Sequence, residues 1–549
     1  MSVAINLLML ALPLYMLQIF DRVLSGRSLE TLVMLTLAVF FALGVMGSLD
    51  ACRTVMLARF GDWLERRLSR PLMLASVALS ARPSATATAQ PMNDLGAVRQ
   101  FLGSPGVTAL FDAPLMPLFI AVIWLIHPLL GVVALGAALL LGLLALASDL
   151  LSRRSARAAA STAAESETMR DGALTQAPLL RTMGLAQGVA DRWSGMRDVT
   201  STHLLSAGTT LGVLSVTSRT VRFGVQAAIL GGGAYLVLDR AITPGQMIAA
   251  SIILGRALSP VEIAIGSWRQ FVASRQAWRR IVGLLTQHAA EPDGLDLPAP
   301  EGRLSVDRVT LTGAPDSEPL LRNISLDIPA GATLGIIGAS GSGKSSLGRL
   351  IAGAWRPSAG VIRLDGADLR DWRPEALGPH LGYLPQTADL LPGTVRENIA
   401  RFGPHTLDGV ITAARRAHAH DVISAIPGGY EAQVGTGGSR LSGGQRQHVA
   451  LARALYGAPK IIILDEPDTN LDQAGHAALL KVLDELRAQS VTLVIIAHRM
   501  AVLGQCDWLA MLEAGQIKAF GPAQSVAKKL GLGTKGQPLR AVSGQGSER

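Results

Sequence analysis

Cysteine, aromatic rings and charge are all scarce in this chain. Of its 549 residues two are cysteine, 4% are aromatic and 17% are charged, against 49% that are hydrophobic. Cys52 and Cys506 both lie beside segments expected on the cytoplasmic side, which argues against a disulfide and against a cysteine-ligated metal. The shortage of rings argues against a surface that stacks nucleic-acid bases. The net charge of +9 would suit a nucleic-acid partner, but the arginines gather beside apolar runs: Arg53, Arg59, Arg66, Arg67 and Arg70 after one, Arg153, Arg154 and Arg157 after another. That is how cytoplasmic loops flank membrane spans, so no nucleic-acid partner is expected.

What the chain has in abundance is Leu, Ala, Val and Ile in long runs. A helix needs about 20 apolar residues to cross a bilayer core, and candidates fall near 3–20, 31–48, 109–126, 129–149, 222–239 and 245–266. Contact with membrane lipid is the consequence. The first run lacks a basic start and a small-residue cleavage site, and is expected to be a retained span rather than a signal sequence. The sixth is interrupted by Arg256 and Glu262. Short links alternate with two Arg-rich stretches, 50–108 and 150–221, whose composition predicts that the spans continue as helices into the cytoplasm. From about residue 300 the chain reads as a soluble α/β protein. The expected division is a six-span domain over 1–285, a linker over 286–302 at Glu291-Pro292-Asp293, an α/β domain over 303–527 and a loose tail over 528–549.

The second half carries chemistry. The short apolar strand Leu334–Ile337 runs into Gly338-Ala339-Ser340-Gly341-Ser342-Gly343-Lys344-Ser345, and Ser346 opens a helical segment. Glycines in such a loop let backbone N–H groups point at phosphate oxygens, and the helix start adds favourable partial charge. Lys344 is then expected to neutralise the β- and γ-phosphates of a nucleotide such as ATP, and Ser345 to be a ligand for Mg²⁺. A second apolar strand, Ile461–Leu464, ends in Asp465-Glu466. The first acid fits the metal and the second fits the base that takes a proton from attacking water.

Leu441-Ser442-Gly443-Gly444-Gln445 matches the signature of the ABC ATPases. In order and spacing the whole half resembles that family: phosphate loop, Gln386 in Tyr383-Leu384-Pro385-Gln386, signature, paired acids, Thr469-Asn470-Leu471-Asp472, and His498 after Val491–Ala497. The resemblance implies that Gln386 senses the γ-phosphate and Mg²⁺, that Asp472 lies in a loop communicating between two sites, and that His498 contacts the γ-phosphate. It also implies that Ser442, Gly443, Gly444 and Gln445 serve a nucleotide held by the opposite subunit, hence a homodimer. The aromatic residue that stacks on adenine in relatives is missing near Val309–Gly313, and Thr436 stands where exporters commonly carry Glu.

The first half resembles the type I secretion exporters, through Ile5–Phe20 with Asp21-Arg22-Val23-Leu24, Ser28–Leu32, Asp94-Leu95 with Val98–Leu102, and Phe111-Asp112-Ala113-Pro114. It looks like the branch without an N-terminal peptidase-like domain, which exports proteases, lipases and similar proteins. The implied fold is a membrane α-helical six-span type I exporter domain followed by an α/β P-loop ATPase domain. The implied partners are a periplasmic membrane fusion (adaptor) protein, a TolC-like outer-membrane tunnel and a secreted protein substrate. The implied place is the inner membrane of a Gram-negative bacterium, with the ATPase cytoplasmic. A lipid or small-molecule exporter is the alternative.

Overall fold

A computed structural model of the chain describes residues 1–83, 90–289, 294–313 and 317–531. The chain divides into two compact units, the first made of Met1–Ser76 and Thr88–Thr286 and the second of Gln287 onward together with the short stretch Val77–Ala87.

The first unit is helical, and among the described residues six helices are long and apolar enough to cross a membrane: Ser2–Gly26, Leu29–Ser80, Pro105–Ile126, Pro128–Ser148, Ala186–Leu238 and Pro244–His288. Four of the expected spans fall inside these, and the other two, 129–149 and 222–239, overrun theirs by one residue. The second runs unbroken for 52 residues, about 78 Å at 1.5 Å per residue and more than twice a bilayer core. The predicted extension of the spans beyond the bilayer is therefore present, and it recurs in Pro128–Thr175 and Ala186–Leu238.

Local chemistry sets the turns. His127 leaves the third helix with extended φ/ψ and its Nδ1 accepts from the Leu129 N–H, while Pro128 starts the fourth helix; a proline at the first helical position sacrifices only an N–H that the helix cannot use. Thr243 and Gln246 exchange side-chain-to-backbone hydrogen bonds at the start of the last helix. Asp21, from the first hairpin, accepts from the Thr243 hydroxyl and the Gly245 N–H at 2.5 and 3.0 Å. Four orphan N–H groups open every helix, and here a carboxylate more than 200 positions away serves one of them.

Of the two interruptions of the sixth span, Glu262 has partners. Glu262 pairs with Arg222 at 2.8 Å and Arg219 at 3.2 Å, both on the neighbouring helix, which meets the requirement that a charge near a membrane be matched. Asp94 and Asp112, picked out with their motifs, also hold helices together. Asp94, 3% exposed, accepts from Arg280 through both oxygens at 2.7 Å. Asp112 accepts from Asn6 and Arg53.

The second unit holds ten described strands: β1 (Leu304–Thr312), β2 (Pro319–Ile328), β3 (Thr333–Gly338), β4 (Ala359–Leu364), β5 (Ala367–Asp368), β6 (Leu381–Leu384), β7 (Ile461–Asp465), β8 (Thr492–Ile496), β9 (Trp508–Glu513) and β10 (Gln516–Pro522). One sheet is antiparallel in the order β2-β1-β4-β5; the other runs β10-β9-β3-β8-β7-β6 and is parallel except at β10. Its central strands β7 and β8 are buried at every position because both faces are covered. Side chains alternate between those faces. Leu334, Ile336, Ile461, Ile463, Val494 and Ile496 join one core with Leu347 and Leu350, whereas Ile462, Leu464, Leu493 and Ile495 join the other with Val449 and Leu479.

Helices reach into the expected linker and the expected tail. The last helix of the first unit continues to Ala289, so residues 286–289 of the expected linker are helical, as Ile281, Leu284 and Leu285 carry the apolar period onward with no breaker before Pro292. Glu291-Pro292-Asp293 lies outside the described residues. A helix over Ala523–Lys529 takes in Lys528 and Lys529, anchored by buried Val526; tail residues 532–549 lie outside the description.

Candidate active site

Four neighbouring parallel strands, in the order β3-β8-β7-β6, deliver their carboxyl ends to one edge of the sheet. Ligand sites in such sheets lie at that edge, because each strand there releases a loop. The register aligns them: Ile336 pairs with Ile496, Asp465 with the same Ile496, and Leu464 with Leu384. The phosphate loop leaves β3, the acid pair ends β7, His498 comes after β8 and Gln386 after β6. Residues scattered over more than 150 positions therefore meet.

The loop after β3 turns through conformations that exclude a side chain at two places. Gly338 has φ +155°, and a Cβ there would collide with the Leu512 carbonyl; Gly343 has φ +98°, and a Cβ would come within 2.7 Å of Leu321. Gly343 is the residue before the helix Lys344–Ile351, so the helix start is left facing the loop. Lys344 is 6% exposed, and its ammonium donates to the Gly338 and Ala339 carbonyls at 3.0 and 2.8 Å. Burial pulls its pKa down, against the pull of Glu466 and Asp465. These carbonyls hold the cation over the loop, where phosphate oxygens could replace them.

The Ser345 hydroxyl donates to Asp465 Oδ1 at 3.2 Å. Asp465 is 1% exposed, and its Oδ2 has no hydrogen-bond partner among the described residues. Burial pushes its carboxyl above the usual range, partly offset by the Ser345 bond. A hydroxyl beside a carboxylate with an idle buried oxygen is a set of hard oxygen donors that fits Mg²⁺, which keeps several waters and takes one or two protein carboxylates or hydroxyls. Glu466 is held on both sides: Gln386 Nε2 donates to its Oε2 at 3.1 Å, and His498 Nε2 stands 3.3 Å from its Oε1. Gln386, Glu466 and His498 thus form one linked set beside Asp465.

The signature residues stand apart from that set. Ser442 caps the helix Gly443–Leu455: its hydroxyl accepts from the Gln445 N–H, and the Gln445 side chain accepts from the Ser442 N–H. No hydrogen bond of the described residues links Ser442, Gly443, Gly444 or Gln445 to the phosphate loop or to Glu466. Asp472 caps the helix Gln473–Ala488 by accepting from the Gly475 N–H at 2.7 Å. Ser340, Ser342 and Ser346 share the loop and helix start; the Ser342 hydroxyl is buried with no hydrogen-bond partner among the described residues. Thr436 lies in a single tight turn before the signature.

Sequence reading missed Arg401, a largely buried guanidinium that donates to the carbonyls of Gly378, Leu381, Arg453 and Ala454. It also missed Gln447, whose position one turn beyond Gly443 and Gly444 was the available signal.

Residues 1–259 match the family model for the ABC transporter transmembrane region, and residues 321–469 match the ABC transporter model. The type I secretion system ATP-binding protein PrsD of Rhizobium meliloti (strain 1021) is 37% identical over 96% of this chain and 90% of its own. The leukotoxin translocation ATP-binding protein LktB of a Pasteurella haemolytica-like species (strain 5943B) is 29% identical over 95% of this chain and 74% of its own. In fold, a bacterial Atm1-family ABC exporter with ATP bound superposes with a TM-score of 0.82 at 21% identity, over 97% of this chain and 96% of that one. With its helical unit, its ATPase edge and these likenesses together, the chain belongs to the ABC transporters, among the ATP-binding proteins of type I secretion systems.

Proposed function

We propose that the chain is the energising subunit of a type I secretion system, a homodimeric ATPase that drives a protein across the inner membrane through a periplasmic adaptor and an outer-membrane tunnel. The observation that carries the ATPase reading is the convergence of Lys344, Ser345, Asp465, Glu466, Gln386 and His498 at the edge of β3-β8-β7-β6. Its fusion to six membrane-length helices makes hydrolysis serve transport, and the relatives named for secretion and for leukotoxin translocation support a protein cargo.

ATP binds with its phosphates along Gly338–Ser346. Lys344 gives up two loop carbonyls for β- and γ-phosphate oxygens, and loop N–H groups take the remainder. Ser345 and Asp465, with Gln386, would hold Mg²⁺, which when bound neutralises charge on the β- and γ-oxygens. Glu466 accepts a proton from the water whose oxygen attacks the γ-phosphorus, and the bridging oxygen leaves with ADP. Gln386 and His498 orient the Glu466 carboxylate beforehand and are placed to meet the γ-phosphate. Ser442–Gln445, at a helix start, offers donors to the nucleotide on the partner chain, so two identical chains complete two identical sites.

The test is recovery from native membranes. The tagged chain should bring down a periplasmic adaptor and an outer-membrane tunnel when a secreted protein is engaged; isolation as a lone dimer whose hydrolysis answers only to lipids or small molecules would contradict the protein-export reading.

A further inference from the structure

The helix that begins at the signature is fastened along one face to the loop that carries the catalytic glutamate. Residues 443, 444, 447 and 448 share that face, being three and four positions apart. A Cβ on Gly443 would lie 3.4 Å from the Asn470 Cβ, and one on Gly444 3.4 Å from the Asn470 carbonyl oxygen. One turn on, Gln447 is 1% exposed and its Nε2 donates to the Pro467 carbonyl at 3.0 Å. Its neighbour His448 is buried within the field of Asp472. The face thus tracks residues 467–472, the segment that starts directly after Glu466.

That segment needs fastening. Glu466 has φ +51°, a left-handed conformation that a residue with a Cβ keeps only when its surroundings impose it. Its N–H donates to Ile496, and its carbonyl accepts from Thr469. Pro467, next in the chain, has no N–H to contribute, so its carbonyl is the remaining handle, and Gln447 grips it. The other end of the same carboxamide, Oε1, has no hydrogen-bond partner among the described residues; the buried amide is present for its donor.

We infer that Gln447 is a positioning residue for ATP hydrolysis: its carboxamide, bonded to the Pro467 carbonyl, fixes the strained turn that aims the Glu466 carboxylate. The inference rests on Glu466 being the base. In the paired assembly, where Ser442 serves the partner's nucleotide and Glu466 its own, the same bond gives a path between the two sites.

Two variants of the full-length protein in detergent test it, read by single-turnover hydrolysis at saturating ATP and by ATP affinity in Mg²⁺. Gln447→Met keeps length and bulk but removes the donor; its rate should fall by roughly 10- to 100-fold, the scale of a small misplacement of a catalytic group, with ATP affinity within about threefold of wild type, since the phosphate contacts are untouched. Gln447→Glu can donate to Pro467 only when protonated, so its rate relative to wild type should rise as the pH falls from 8 to 6. A wild-type rate in Gln447→Met would overturn the inference, as would rate and affinity falling in parallel. Should Gln447→Met not fold, a flat Gln447→Glu ratio across that pH range overturns it alone. Glu466→Gln run alongside separates the two readings: if that variant turns over normally, the base assignment has failed, and if it is inactive while Gln447→Met is normal, only the role of Gln447 has.

Discussion

Ser345 and Asp465 stand 120 positions apart in the chain, yet the serine hydroxyl donates to the carboxylate at 3.2 Å. The bond joins the helix after the phosphate loop to the end of β7, and it leaves Asp465 buried with its carboxyl pushed above the usual range by desolvation. A group whose folded pKa is raised stabilises the fold fully below its unfolded value, about 3.9 for Asp, and that stabilisation is lost as the pH rises through the folded value. In Mg²⁺-free protein, Asp465→Asn should therefore melt above wild type near neutral pH, with the gap closing as the pH falls towards 4. Thermal unfolding in chelator measures this, and a gap that widens with acid would show that burial does not dominate. Restoring Mg²⁺ with ATP should raise the wild-type melting temperature by more than the variant's, because a ligand stabilises by about 2.7 kcal/mol when present at 100 times its Kd and by less as its Kd rises.

Glu466 is reached by both Gln386 and His498, a placement suited to a base. Glu466→Gln should bind ATP as wild type does and lose about 10²- to 10⁴-fold in turnover, the usual worth of general-base help. Phosphate release from purified protein decides it; turnover near wild type would remove Glu466 from the role.

Lys344 is the cation buried over the loop. Lys344→Ala should abolish high-affinity ATP binding and secretion while the chain still inserts in the membrane, since the six long helices lie in the first unit. Nucleotide binding and membrane fractionation on the same preparation separate those effects. Normal export by this variant would contradict the phosphate role.

Much of this was legible in the sequence because the relevant signals are local. Each expected span is a run of apolar residues that no soluble core of that length would need, and each lies, to within one residue, in a membrane-length helix. The strand-loop-helix around Gly338–Ser346 and the acids closing Ile461–Leu464 announced themselves by composition and order. What stayed hidden was long-range pairing. Nothing adjacent to Asp21 says that it will cap a helix at Gly245, nor does the sequence around Arg401 name the four carbonyls that it bonds. Gln447 was overlooked for the same reason: its partner, Pro467, is set by how the signature helix packs. The last long helix runs a few residues into the expected linker, since a helix terminus is set by the packing around it as well as by its local sequence.

Signature residues that bond only locally call for a partner, and a mixed dimer tests whether that partner is a second copy. Lys344→Ala in one chain with Ser442→Arg in the other places both defects in one composite site and leaves the opposite site whole. Both substitutions in a single chain of the mixed dimer damage both sites. In a Glu466→Gln background, trapped ATP should be clearly higher in the first arrangement. Equal trapping in the two would contradict shared sites.

The most direct measurement of the whole account is the protein content of the growth medium from three strains: one lacking this chain, one complemented with wild type and one complemented with Glu466→Gln. The account predicts that a defined set of secreted proteins vanishes on deletion, returns with wild type and stays absent with Glu466→Gln, although the variant reaches the membrane at normal abundance. An unchanged medium on deletion, or full restoration by Glu466→Gln, would contradict ATP-driven protein export by this chain.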